Sequence, residues 1–174
     1  LDYDDFPKDY DGYTNLNNLS WAYYIIGNYE NALEIANKTI VKVLSSKELE
    51  LRDYLKAEAY RIKALTLKAF YEDNKINFLK NYTVNDIKKA YNNLLSYKRG
   101  YSNLSYPHYL YGEFLSDFDR KLSEFHYKEG IRLDSLAGEF NCEQLFNFGY
   151  SLIFGYDNTT LKKAINYMSK AVDC

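Results

Sequence analysis

The side chains able to do chemistry are few, and their spacing argues against a catalytic centre. The chain holds two histidines, His108 and His126, and two cysteines, Cys142 and Cys174. The apolar pattern predicts one continuous helix over both histidines, which sets them about 27 Å apart by helical rise and beyond the reach of a shared metal ion. Carboxylates are scattered among lysines on predicted solvent faces, with no pair set apart as acid and base. No Gly-rich phosphate loop, activated serine or cysteine–histidine arrangement occurs. The acidic, aromatic opening from Asp2 to Gly12 lacks the ligand alternation and downstream Glu of a calcium loop. Catalysis, a metal and a bound cofactor are therefore not expected.

Composition excludes further classes. Of the 174 residues, 47% are hydrophobic and 26% charged, ordinary values for a globular protein. With 22 basic against 24 acidic residues the formal charge is −2, so the chain carries no electrostatic footprint for nucleic acid or an anionic membrane. No apolar run reaches the roughly 18 residues of a membrane span. Proline occurs only at Pro7 and Pro107, which suits long helices because an interior proline removes a backbone donor and clashes with the preceding turn. The 20 tyrosines and 10 phenylalanines furnish either packing or an aromatic binding surface. Asn-x-Ser/Thr triplets at Asn18, Asn37, Asn81, Asn103 and Asn158 are of the kind an Asn-rich composition produces, and two of them fall inside predicted helices.

The periodicity then places helices. After an extended arm over 1–13, Thr14 caps a first helix to about Ile26, Gly27 ends it, and Asn28 caps a second whose Tyr29, Ala32, Leu33, Ala36, Ile40 and Val43 draw one apolar stripe. Ser45 with Glu48 matches a capping box before a third helix to about Asp73. Asn74 to Tyr82 reads as a loop, and Thr83 with Asp86 as a second capping box opening a fourth helix that Gly100 closes. Pro107 sits in the first turn of a fifth helix, along which Tyr111, Phe114, Leu115, Phe118, Leu122 and Phe125 form a stripe as far as Gly130. A short amphipathic piece spans 131–140. Two final helices cover about 142–154 and 160–173. Runs with strand periodicity are missing.

The first helix pair resembles a tetratricopeptide repeat. Ser20, Tyr23, Gly27, Tyr29, Ala32 and Ala36 occupy the family's small, aromatic and glycine positions in the right spacing, while Leu16, Thr39 and Leu44 replace its usual Trp, late Ala and terminal Pro. The second pair keeps Ala59 and Ala90 in small positions but with a longer connection. The last pair is similar to Sel-like repeats through Gly149, Gly155, Asp157, Ala164, Lys170 and Ala171. The resemblance implies an all-α chain forming one short, irregular right-handed α-solenoid of antiparallel helix hairpins, about seven helices in a single domain. Its parts would be a hairpin at 14–44, an enlarged hairpin at 46–99, a long plus a short helix at 107–140, and a Sel-like hairpin at 141–174.

In such stacks the first helix of each pair faces a concave groove. Carried onto this chain, that geometry puts Asn17, Trp21, Tyr24, Lys56, Tyr60, Lys63, Phe146 and Tyr150 in contact with a protein or peptide partner. Cys142 and Cys174 fall at adjoining ends of the last hairpin, so a disulfide closing a loop of about 30 residues is geometrically open, for which chain entropy gives roughly 3–4 kcal/mol; two unlinked thiols are the alternative. Cysteine-stapled Sel-like repeats form an exported subclass, and a chain starting at Leu1 is what signal removal or trimming leaves, so an extracytoplasmic location is expected over a cytoplasmic one. The expected function is a non-catalytic interaction adaptor. The alternatives are an accessory subunit of an exported or cell-envelope assembly, and a helical small-ligand binder. Oligomeric state is not legible.

Overall fold

The computed structural model describes residues 10–45, 52–97, 104–139, 141–153 and 158–172. They are all-α, with no strand among them and nine helices where seven are expected. The chain divides into two compact units, Leu1–Ser102 and Asn103–Cys174.

The first unit contains α1 (Tyr10–Ile25), α2 (Tyr29–Ser45), α3 (Arg52–Asp73), α4 (Lys75–Asn81) and α5 (Val84–Ser96). Between α1 and α2, Gly27 adopts φ 74°, the left-handed conformation expected of it. The small residues do the work predicted for them. Ser20 and Ala32 are fully buried, and the Ser20 hydroxyl donates to the Ala32 carbonyl at 2.7 Å, so the hydroxyl is satisfied where α1 meets α2. Tyr13, Leu16, Ile35, Val43 and Leu55 close one core of this unit. Tyr29 reaches α3, stacking on Phe70 at 5.5 Å with its hydroxyl hydrogen-bonded to Asp73. That hydrogen bond, then burial, pushes the phenol up to about 12.

Two expectations fail here. Helix α1 starts at Tyr10, four residues before the expected Thr14 cap, because Tyr13 anchors its first turn in the core. The segment after Asn74 is not wholly loop: Asn74 caps α4 by accepting from the Asn77 amide at 3.2 Å, and Phe78 is driven into an aromatic cluster with Phe70, Tyr71 and Tyr82. A single buried anchor in seven residues leaves no period to read. The second capping box is formed, with the Thr83 amide and hydroxyl both donating to Asp86 at 2.8 Å. Ser45 is the last residue of α2, and its expected box partner Glu48 lies outside the described residues, as does Gly100.

The second unit contains α6 (Ser105–Leu115), α7 (Arg120–Ala137), α8 (Cys142–Ile153) and α9 (Asn158–Val172). The long helix expected over 107–130 is broken by a turn at 116–119. Asp119 caps α7 by accepting from the Leu122 amide at 3.1 Å. The break puts Tyr111, Phe114 and Leu115 in the interior but leaves Phe118 and Phe125 exposed, so the expected stripe is two half-stripes. Gly130 ends nothing; α7 continues through the supposed short piece to Gly138, whose φ of 73° stops it.

Helices α6 and α7 approach through reciprocal glycine–tyrosine contacts. A Cβ at Gly130 would stand 2.6 Å from the Tyr109 ring, and one at Gly112 would stand 3.0 Å from the Tyr127 ring. Tyr109 is fixed from its other end, donating to the buried Asp134 at 2.5 Å. Around this crossing Tyr109, Tyr127, Phe148, Leu152 and Ala164 form one core. Gly149 makes the α8–α9 contact in the same way, since its Cβ would meet the Ala164 carbonyl at 3.0 Å.

Because Tyr109 is held by Asp134 it yields little, and overpacking outweighs alanine's propensity advantage. Gly130→Ala should therefore lower stability by about 1–3 kcal/mol even though alanine is better than glycine in a helix interior by roughly 1 kcal/mol. Chemical denaturation followed by the near-UV tyrosine signal measures this. An unchanged or raised midpoint would show that the ring can move away.

Candidate functional site

The residues predicted to line a groove divide into three groups. Asn17 is buried at 3% exposure, donating to the Leu55 carbonyl at 3.2 Å, and Lys56 is buried at 6% beside the Tyr97 ring. Both therefore belong to packing. Phe146 and Tyr150 are exposed and stack at 6.4 Å along one side of α8 in the second unit.

The remaining four are half-buried in the first unit, where α1, α3 and the end of α5 position them. Trp21 and Tyr24 lie at i and i+3 on α1, with ring centroids 4.8 Å apart. The Arg61 guanidinium of α3 sits 4.5 Å from the Trp21 centroid. Glu58, one turn before it, holds that guanidinium through two bonds of 2.9 and 2.5 Å. The cation is thus oriented before any partner arrives. On the neighbouring strip of α3, Tyr60 stacks on Tyr97 at 5.9 Å, and burial raises both phenols. Lys63 makes no ion pair among the described residues; burial lowers its ammonium, opposed by the Asp86 charge. The site is a preformed aromatic–guanidinium platform beside a stacked tyrosine pair, suited to gripping a side chain.

Sequence reasoning missed Arg61 and Tyr97. Arg61 follows Tyr60 and so falls on a different face of an ideal helix, and Tyr97 is the residue just past α5, where helical period gives no handle.

The histidines require the largest correction. They lie on two helices, not one, and the turn at 116–119 folds α7 back so that their Nδ1 atoms meet at 3.0 Å in a buried contact. One nitrogen must donate and the other accept, so at least one ring is neutral. Tyr111 packs on His126 at 4.5 Å, and Phe125 meets its edge at 5.2 Å. Among the described residues no three His, Cys, Asp or Glu side chains converge as a metal site. Cys142 is disulfide-bonded, and Cys174 lies outside the described residues. No helix of the described residues is long and apolar enough to cross a membrane.

Burial, and then the nearby His108, pushes His126 down from 6.5 to about 4. The folded state therefore prefers the neutral ring, and its contribution to stability is complete above pH 6.5 and is lost as pH falls toward about 4. Urea denaturation across this window should show a decline that His126→Leu flattens. An identical slope in the variant would remove His126 as its source.

Comparison of the chain with protein-family models, with curated proteins and with solved structures found no match.

Proposed function

We propose that the first unit is a non-catalytic protein-interaction module of tetratricopeptide-like kind, built from antiparallel helix hairpins of a short right-handed solenoid, which holds a protein or peptide segment against α1 and α3. One observation carries this: Trp21, Tyr24 and Arg61 form a pre-oriented, half-exposed cluster across those two helices. These are the side-chain types that dominate binding energy at interfaces, since they offer large contact area for few rotatable bonds and gain most when water is excluded around them. Tyr60 and Lys63 extend the surface with an aromatic face and a hydrogen-bonding cation. A partner presenting an apolar side chain to Trp21 and an acceptor to Lys63 matches it.

The disulfide at Cys142 supports a second proposal, that the chain serves as a component of an exported assembly, because such cross-links persist in oxidising compartments and are rare in the cytosol. Cys174 is the proposed partner of that bond. Mass spectrometry of the non-reduced, alkylated protein should show no free thiol, and two alkylated cysteines would remove this second proposal.

Affinity capture from the native source followed by titration of the recovered partner tests the first. Trp21→Ala should weaken binding by about 2 kcal/mol, roughly thirtyfold, with the helical circular dichroism and melting transition retained. Trp21→Phe, which keeps an apolar ring, should recover much of it. Loss of fold together with loss of capture would return Trp21 to the core and end the proposal.

A further inference from the structure

Five Asn-x-Ser/Thr triplets run along the chain, and folding treats them differently. To accept a sugar, such a triplet must offer the asparagine amide and the hydroxyl two residues later together, on accessible backbone that is not locked in a helix. Asn18 and Asn37 lie within α1 and α2. There Ser20 and Thr39 are fully buried, and their hydroxyls donate to the Ala32 carbonyl at 2.7 Å and the Ile35 carbonyl at 2.9 Å. The Asn158 triplet falls wholly in the first turn of α9, and Asn103 lies outside the described residues. Asn81 is placed otherwise. It is the last residue of α4, and the chain passes to α5 through Tyr82 and Thr83 in extended conformation, at φ −137°, ψ 163° and φ −127°, ψ 163°. Tyr82 lays its ring on Phe78 at 5.6 Å and Phe70 at 6.3 Å. With that ring turned inward, Asn81 and Thr83 on either side of it are both exposed. The Thr83 hydroxyl donates to Asp86 at 2.8 Å, a surface bond that water or a passing enzyme replaces at little cost.

We infer that Asn81 is the attachment site of an N-linked oligosaccharide. This rests on the proposal that the chain is exported, since the transfer takes place in the oxidising compartments where disulfides persist. The donor is an oligosaccharide on a polyisoprenyl diphosphate, and the catalyst is a transferase that reads the triplet. The Asn81 Nδ2 forms a bond to the anomeric carbon, and the bond from that carbon to the diphosphate oxygen breaks with its electron pair staying on the diphosphate. The proton lost from Nδ2 passes to a base of the transferase. Neither the Tyr82 packing nor the Thr83–Asp86 cap uses the Asn81 amide, so the α4–α5 junction carries the sugar without rearrangement.

Full-length protein recovered from its native source, digested and treated with peptide N-glycosidase in heavy-oxygen water, tests this. The Asn81 peptide should appear as the aspartate form carrying heavy oxygen, beyond a glycosidase-free control, while the Asn18 and Asn37 peptides stay unlabelled. Alkylation of the same sample without reduction reports on Cys142. Unlabelled Asn81 beside a bridged Cys142 overturns the attachment site alone, and unlabelled Asn81 beside two free thiols overturns the site and the export proposal together. Label at Asn18 or Asn37 in place of Asn81 also overturns it. Two variants expressed in the same cells separate the triplet from the fold. Thr83→Asn keeps a favourable helix N-cap but removes the hydroxyl and should lose the label, whereas Thr83→Ser keeps both and should retain it, with the same melting transition in each. Label that survives Thr83→Asn would overturn the inference, because the triplet would not be what is read.

Discussion

Tyr109 can lie against α7 only because residue 130 has no side chain, and Tyr127 can lie against α6 only because residue 112 has none. Close backbone approach is the constraint on which the second unit depends. Once the two helices are that near, the buried polar groups fall into place: Ser123 donates to the Gly112 carbonyl at 2.6 Å, Tyr109 donates to Asp134, and the two imidazoles meet. Each of these satisfies a group whose burial would otherwise be unfavourable. Tyr127, laid on Gly112, presents its other surface to Phe148 at 4.9 Å, and Phe148 passes the packing to Tyr167 at 4.6 Å. The glycines thus decide where α8 and α9 find their core.

The first unit solves the same problem with residues slightly larger than glycine. Ser20, Ala32 and Ala36 bring α1 onto α2, and Tyr29 locks the pair to α3 through Phe70 and Asp73. With the backbone fixed at these crossings, Trp21, Tyr24 and Arg61 are held in mutual contact at the margin of the interior. A side chain ordered before binding loses less entropy when a partner arrives. The packing of the crossings therefore pre-orients the surface for which recognition is proposed.

Much of this was legible in the sequence, and the limits follow a pattern. Gly27, the Ala32 and Ala36 stripe and the Thr83–Asp86 box stand at the structural positions their chemistry requires, because caps and turns act through near neighbours. The turn at 116–119 was hidden, since apolar residues flank it in near-helical phase while Asp119, its cap, resembles any surface carboxylate. Gly130 misled for a related reason. A glycine that ends a helix and one that admits a facing ring are the same letter, and only the facing ring tells them apart. Of the expected contact residues, Asn17 and Lys56 were misjudged because a position on the inner helix face is exposed or covered according to the neighbour that packs there.

By itself the amino-acid sequence determined the all-α character, the small-residue crossings and the absence of a charge signature for nucleic acid. These follow from local propensity, period and composition, which need no knowledge of distant residues. Tertiary structure alone decided that His108 and His126 touch and that Arg61 covers Trp21. The reason is common to both: each joins residues far apart along the chain, and their separation in space depends on where a helix breaks and how closely two backbones can approach.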